Sequence, residues 1–191
     1  LTSFSFDGLT DTGGYLDISG NAALTSFSLD SLTNVDGNLT IQSNAVLTSF
    51  FLDNLTYIGG FFQIYDNGVL MSFSLDSLTN IGGLFNVQSN DALTSSSLDS
   101  LTYIGGYFQT YDNGALTSLS LESLAYIGGY FSIQYNDALT SLSFDSITYT
   151  GGYFQIYHNS SLCQSLVNAL VDVMVAAGWS GALYTTENAS C

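Results

Sequence analysis

Lysine, arginine and proline are absent from this chain of 191 residues, and histidine and tryptophan occur once each. With no Lys or Arg there is nothing to neutralise phosphate, which excludes nucleic acid as a partner and anionic membrane surfaces with it. The 16 acids stand unopposed, at a formal net charge of −16. Charged residues are still only 8 % of the chain against 46 % hydrophobic, so there is material for a core and the chain does not read as disordered. Folding supplies no reason for the complete loss of Lys and Arg. Long apolar runs are missing too: the longest, residues 162–178, is broken by Gln164, Asn168 and Asp172 and is too short to span a bilayer, so no membrane insertion is expected. No signal peptide opens the chain, which reads as a mature or trimmed form.

Cysteine is confined to Cys163 and Cys191. No second His or nearby Cys can complete a zinc shell, so the pair reads as a disulfide made in an oxidising compartment, outside the cell or at its surface. Closing that loop is worth about 3–4 kcal/mol in the chain-entropy model. Catalytic apparatus is equally scarce. His158, the sole histidine, replaces an Asp or Ser of a turn column and reads as a surface residue. A triad, a metal centre and a P-loop are missing, and the acids recur at fixed positions, where a glycosidase pair should break the pattern. The reading is not an enzyme, with no resident cofactor.

What the chain has in abundance is itself. Seven units of 23 residues follow one another without a gap from Leu1, Leu24, Leu47, Leu70, Leu93, Leu116 and Leu139, each close to LTSFSLDSLTYIGGYFQIYDNGA. A fixed period of this size marks a solenoid, whose coils bury their apolar faces only by stacking. Two stretches alternate with period two and predict strands: TSFSL, with unit positions 4 and 6 inward, and YFQI, with inward pairs such as Phe62 and Ile64. The Gly-Gly pair at positions 13 and 14, broken only by Asp36, predicts a bend that uses positive φ. Position 21 is Asn in every unit, from Asn21 to Asn159, and predicts a ladder that satisfies turn backbone groups along the stack. Beyond the repeats, Ser161 and Gln164 have capping-box spacing, Leu162, Leu166, Leu170, Val173 and Ala177 recur as an apolar stripe, and Gly178 is a stop. This predicts a capping helix, with Trp179 and the ALYTT stretch folded back and held by the disulfide.

The run FQIYDNGVLMSFSL, residues 62–75, resembles a leucine-rich repeat of the short, strand-heavy kind found in receptor L domains and in bacterial secreted or surface proteins. The resemblance implies an all-β solenoid, a right-handed coil with parallel sheets, over residues 1–161, and residues 162–191 are similar to the closing segment of some bacterial members, here a helical cap. Proteins of this kind are adhesins, receptors and surface proteins, which constrains function weakly.

Two functional readings follow. Residue 1 opens a full repeat, so Phe4, Phe6, Leu9, Leu16 and Ile18 belong to a coil with nothing stacked on it. A non-enzymatic extracellular structural protein that self-assembles end to end through this coil, into filaments or a surface layer, is the leading expectation. Its competitor is a preceding domain or cap missing from the chain. The second reading is a carbohydrate- or ligand-binding adhesin-like module using an outward tyrosine face: Tyr107, Tyr130 and Tyr153 at position 15, Tyr65, Tyr111 and Tyr157 at position 19, with a further column at position 11. Against it stands a plain β-surface built from residues of high strand propensity. Ice binding by the serine columns is a remote third, since threonine would suit it better.

Position 7 carries one acid per coil: Asp7, Asp30, Asp53, Asp76, Asp99, Glu122 and Asp145. Carboxylates about 4.8 Å apart repel by ~1 kcal/mol in water. A calcium ladder on Asp30, Asp53, Asp76 and Asp99 and a hydrated turn column are both open. Of four glycosylation sequons, Asn159 belongs to the ladder and is expected to be blocked, leaving Asn38, Asn54 and Asn188 as candidates.

Overall fold

The computed structural model describes residues 1–144 and 146–191. The chain is a parallel β-solenoid of about seven turns at 23-residue spacing, followed by a single helix, α1, Gln164–Ala176. The long sheet has eight parallel strands: Leu16–Ser19, Leu39–Gln42, Phe62–Tyr65, Phe85–Gln88, Phe108–Tyr111, Phe131–Gln134, Phe154–Tyr157 and, from the tail, Leu183–Tyr184. Each pairs with the same unit position of the next, as Phe85 with Phe108 and Val87 with Thr110. The Ser-rich strands at positions 3–5 form a second side, in pieces of two, three and two strands. A third side, which the period-two reading misses, is a six-stranded ladder of two-residue strands such as Tyr57–Ile58 and Tyr103–Ile104. Two residues are too few to show an alternation.

The interior is a set of columns. Phe62, Phe85, Phe108, Phe131 and Phe154 are fully buried, with successive rings 4.8–5.6 Å apart. Phe4, Phe27, Phe50 and Phe73 stack likewise at 5.4–5.6 Å on the second side. That column stops at Ser96, where the inward position lacks a large side chain, and strand pairing on this side lapses between Ser95–Ser97 and Ser118–Ser120.

Polar satisfaction is columnar too. Asn90 donates through Nδ2 to Ile64 O (3.1 Å) and Gln88 O (2.9 Å), while its Oδ1 accepts from the backbone N of Asn67 (3.1 Å). The same pattern links Asn44, Asn67, Asn113, Asn136 and Asn159, all fully buried. Threonines add an outer rail: Thr56, Thr79 and Thr102 each donate to the carbonyl 23 residues earlier. The residue before each ladder Asn is left-handed, with Ser43, Asp66, Ser89, Asp112, Tyr135 and His158 at φ 52 to 57°.

The glycine pair serves a different purpose from the one its composition implies. Gly13 alone among these residues has positive φ. At Gly83 an added Cβ would meet Gly60 C and O at 2.8 Å, and at Gly82 it would run into Gly59 O. The constraint is the close approach of successive coils, not a left-handed bend.

The tail also differs from expectation. Cys163, not Ser161, precedes α1, and no side-chain cap bond forms, so the capping box is not used. The buried face is Val167, Leu170, Val171 and Met174, whereas Val173 is 56 % exposed. Gly178, at φ +98°, does end the helix. Trp179 then packs edge-on against Phe154 and donates from Nε1 to Thr150 Oγ1 at 2.7 Å, which accounts for Thr where inner coils have Val or Ile. Cys163 and Cys191 are disulfide-bonded. The tail next lays Leu183–Tyr184 on the last coil, and Asn188 takes an eighth rung: its Oδ1 accepts from Asn159 N (3.2 Å) and its Nδ2 donates to Ile156 O (2.9 Å). Glu187 before it is left-handed at φ 63°, as in the seven coils' turns.

Two substitutions separate these terms. Asn90→Ala strands several buried backbone groups and is expected to cost about 3 kcal/mol in urea unfolding. Ser89→Gly relieves the left-handed backbone and is expected to stabilise by ~0.5–1 kcal/mol, read as a raised melting temperature.

Candidate functional site: the tyrosine face and its terminal cleft

Alternate residues of the long sheet point outward, so positions 15, 17 and 19 share one face. In the last three coils this face carries Tyr107, Gln109 and Tyr111; Tyr130, Ser132 and Gln134; and Tyr153, Gln155 and Tyr157. The position-15 rings are stacked almost in parallel, Tyr107 on Tyr130 at 4.4 Å and Tyr130 on Tyr153 at 4.7 Å. On the third side Tyr103, Tyr126 and Tyr149 stack the same way at 4.9 and 4.8 Å. Neighbours therefore occupy the faces of the middle rings, and what these columns offer outward is edges and hydroxyls. Position 19 behaves differently. Gln88 and Gln134 separate Tyr65, Tyr111 and Tyr157, and Tyr135 sits between the last two, edge-on to both at 5.3 and 6.0 Å.

Burial raises the Tyr130 phenol above the usual tyrosine range, and the flanking phenols Tyr107 and Tyr153 raise it further. Tyr153 is raised for the same leading reason, with Tyr157 and Tyr184 adding to it.

The face ends in a cleft of about 360 Å³ between the seventh coil and the tail, lined by Gln155, Tyr157, His158, Tyr184, Thr186 and Glu187. His158 is held there. Its Nδ1 lies 2.6 Å from Glu187 Oε2, and its ring stacks on Tyr135 at 4.7 Å and meets Tyr157 at 4.9 Å. Tyr135, His158 and Glu187 are thus successive members of the left-handed column. His158 is half-exposed, with a defined partner on each side, rather than a loose surface residue.

Three of the cleft's six residues, Tyr184, Thr186 and Glu187, lie outside the repeats. The tail does carry a signal: ALYTTEN sets Asn188 after a short strand as YFQIYHN sets Asn159, 29 residues earlier. Tyr184, Thr186 and Glu187 are legible only once that alignment is made.

The acid column remains one exposed carboxylate per coil at Asp30, Asp53, Asp76 and Asp99, while Asp145 lies outside the described residues. Ser74 Oγ donates to Asp53 Oδ1 at 2.5 Å and Ser97 Oγ to Asp76 Oδ1 at 2.6 Å, so serines of the following coil solvate these acids. Among the described residues no three acids, His or Cys converge as a metal would need, and the calcium ladder gains no convergent ligand set. Asn54 is exposed, Asn38 is half-buried with its Oδ1 accepting from Phe61 N, and Asn188 commits Nδ2 to Ile156 O and to Gln164 Oε1 (3.0 Å).

Residues 10–95 match the family model for the receptor L domain. The chain is a receptor-L-domain-like solenoid. The matched span runs from the first coil into the fifth, and the remaining coils continue it in the same register. No curated protein and no solved structure matches the chain. No helix among the described residues is long and apolar enough to cross a membrane, and the disulfide fits an oxidising environment.

The raised phenols have a defined sign. The folded state holds the Tyr130 and Tyr153 protons more tightly than the unfolded chain, whose tyrosines titrate near pH 10. Stability from this source is intact below about pH 10 and falls as pH rises above it. Ultraviolet titration is expected to show late-ionising tyrosines that move to the ordinary range on denaturation, and Tyr130→Phe to remove the latest of them.

Proposed function

We propose that this solenoid is an extracellular, non-catalytic recognition module that binds a ligand on the outward face of its long sheet, at the tyrosine-rich coils five to seven. The observation that carries the reading is the cleft of Gln155, Tyr157, His158, Tyr184, Thr186 and Glu187 at the end of a face dense in aromatic rings and amides. Ligand sites of this type combine apolar rings with a few oriented polar groups. The receptor L domain match over residues 10–95 supports a receptor-like role, and the Cys163–Cys191 disulfide supports an extracellular one.

A second reading is end-to-end assembly into filaments or a surface layer. It draws support from apolar side chains exposed at both ends of the stack, Leu1 (78 %) and Phe6 (58 %) on the first coil, and Val173 and Val175 on α1. A contact of this kind joins unlike surfaces and propagates without closing. Electron microscopy over a concentration series is expected to show filaments under this reading, while dispersed particles at all concentrations count against it.

The face reading is tested by screening the protein against arrays of glycans and of secreted proteins. Retained ligands are expected to lose at least about tenfold in affinity, ~1.4 kcal/mol, with Gln109→Lys plus Gln155→Lys. They are expected to be unaffected by Ser118→Lys plus Ser141→Lys on the Ser-rich side. Equal losses from both pairs would rule the long-sheet face out.

A further inference from the structure

We infer that the terminal cleft binds a cationic side chain, a guanidinium foremost, of a basic peptide or protein partner; this rests on the long-sheet face being the ligand surface. Three observations converge on it. First, the cleft holds one carboxylate, Glu187, which is 61 % exposed, and His158 is its only ion-pair partner among the described residues. Second, aromatic rings flank that carboxylate without being covered in parallel: Tyr157 meets His158 at 58°, and Tyr184 meets Tyr153 at 83°. They differ in this from the stacked Tyr107, Tyr130 and Tyr153, whose interplanar angles are 6–7°. Third, the whole chain is an anion of net charge −16 with no Lys or Arg of its own to occupy such a site.

The chemistry of these parts selects the ligand. A guanidinium places its N–H fork on a carboxylate while its flat face lies over a tyrosine ring, a cation–π contact that gains strength in a partly desolvated cleft. Gln155 and Thr186 supply neutral acceptors for the remaining N–H groups. The surrounding negative field draws cations toward the cleft and speeds their capture. A neutral sugar gains nothing from that field, and the parallel stacks deny it the open ring faces that a sugar platform needs.

The test uses the full chain and the peptide acetyl-(Gly-Arg)3-amide, titrated by calorimetry at moderate salt. Glu187→Gln is expected to weaken binding roughly tenfold and Tyr184→Ala roughly three- to tenfold. Glu122→Gln, which removes the same charge from a position-7 turn, is expected to stay within about twofold, the scale of a screened surface charge. Equal losses from Glu187→Gln and Glu122→Gln reveal diffuse attraction and overturn the cleft assignment, as does an absence of binding. Gln109→Lys and Ser118→Lys, two equal additions of charge on different sides, separate the two levels of the reading. If Gln109→Lys is the more damaging while Glu187→Gln is silent, the face binds peptide away from the cleft and only this inference falls. If both lysine variants lose alike and Glu187→Gln is silent, the face reading fails for this ligand as well.

Discussion

Stacked coils bring buried polar turns into register, and one buried asparagine per coil makes that tolerable. Each ladder Asn accepts from one coil and donates to its own and the preceding strand, so no rung is satisfied alone. A buried unpaired backbone group costs roughly 1–3 kcal/mol. The ladder therefore fixes the 23-residue period, the left-handed residue before each Asn and the in-register pairing of the long sheet. Glycine at positions 13 and 14 follows from the same closeness, since a Cβ there would occupy the neighbouring coil's backbone. The tail obeys the rule as well, because Glu187 and Asn188 repeat the left-handed residue and the rung on a segment that is otherwise no repeat.

Function has to be found where this regularity relaxes. The parallel tyrosine stacks are the outer counterpart of the inner phenylalanine columns, and their rings largely serve one another. At the seventh coil the pattern changes: the tail strand is only two residues long, and beyond it Thr186 and Glu187 line a cleft with Tyr157 and His158 that the His158–Glu187 pair bridges. The gap concentrates the chain's only histidine, an acid and rings with exposed surface in one place.

Much of the fold was legible in the residues. Period, parallel register, inward Phe columns and the Asn ladder all follow from seven aligned copies, because errors in one copy are corrected by the others. What occurs once was harder to read. The capping box at Ser161 and Gln164 has the right spacing, yet Gln164 is instead drawn to Asn168 and Asn188, and Ala189 O accepts from its backbone N–H. Val173 fits the helical stripe, but α1 rests on the last coil at an angle that buries Val167 and Val171 in its place. The cleft was largely hidden because Tyr184 and Glu187 become neighbours of Tyr157 and His158 only through the folded-back strand, 29 residues on.

Ser96 gives the array an internal seam. At that one coil the Phe column of the Ser-rich side is broken, and strand pairing toward the next coil lapses. Asn86, in the long sheet of the coil before it, leaves a buried Oδ1 unpartnered. In a structure whose cohesion is a sum of nearest-neighbour interfaces, the interface after Ser95–Ser97 lacks the Ser-side ladder, as does the one between Ser26–Ser28 and Ser49–Phe51. The lapse after Ser95–Ser97 lies between coils five and six, so coils one to five and coils six and seven with the cap, where Leu119 and Leu142 take the inward position, meet on the Ser-rich side by packing alone. The long sheet and the two-residue ladder run unbroken past both lapses, so tension along the stack is carried there and the Ser-rich side is the one that opens first.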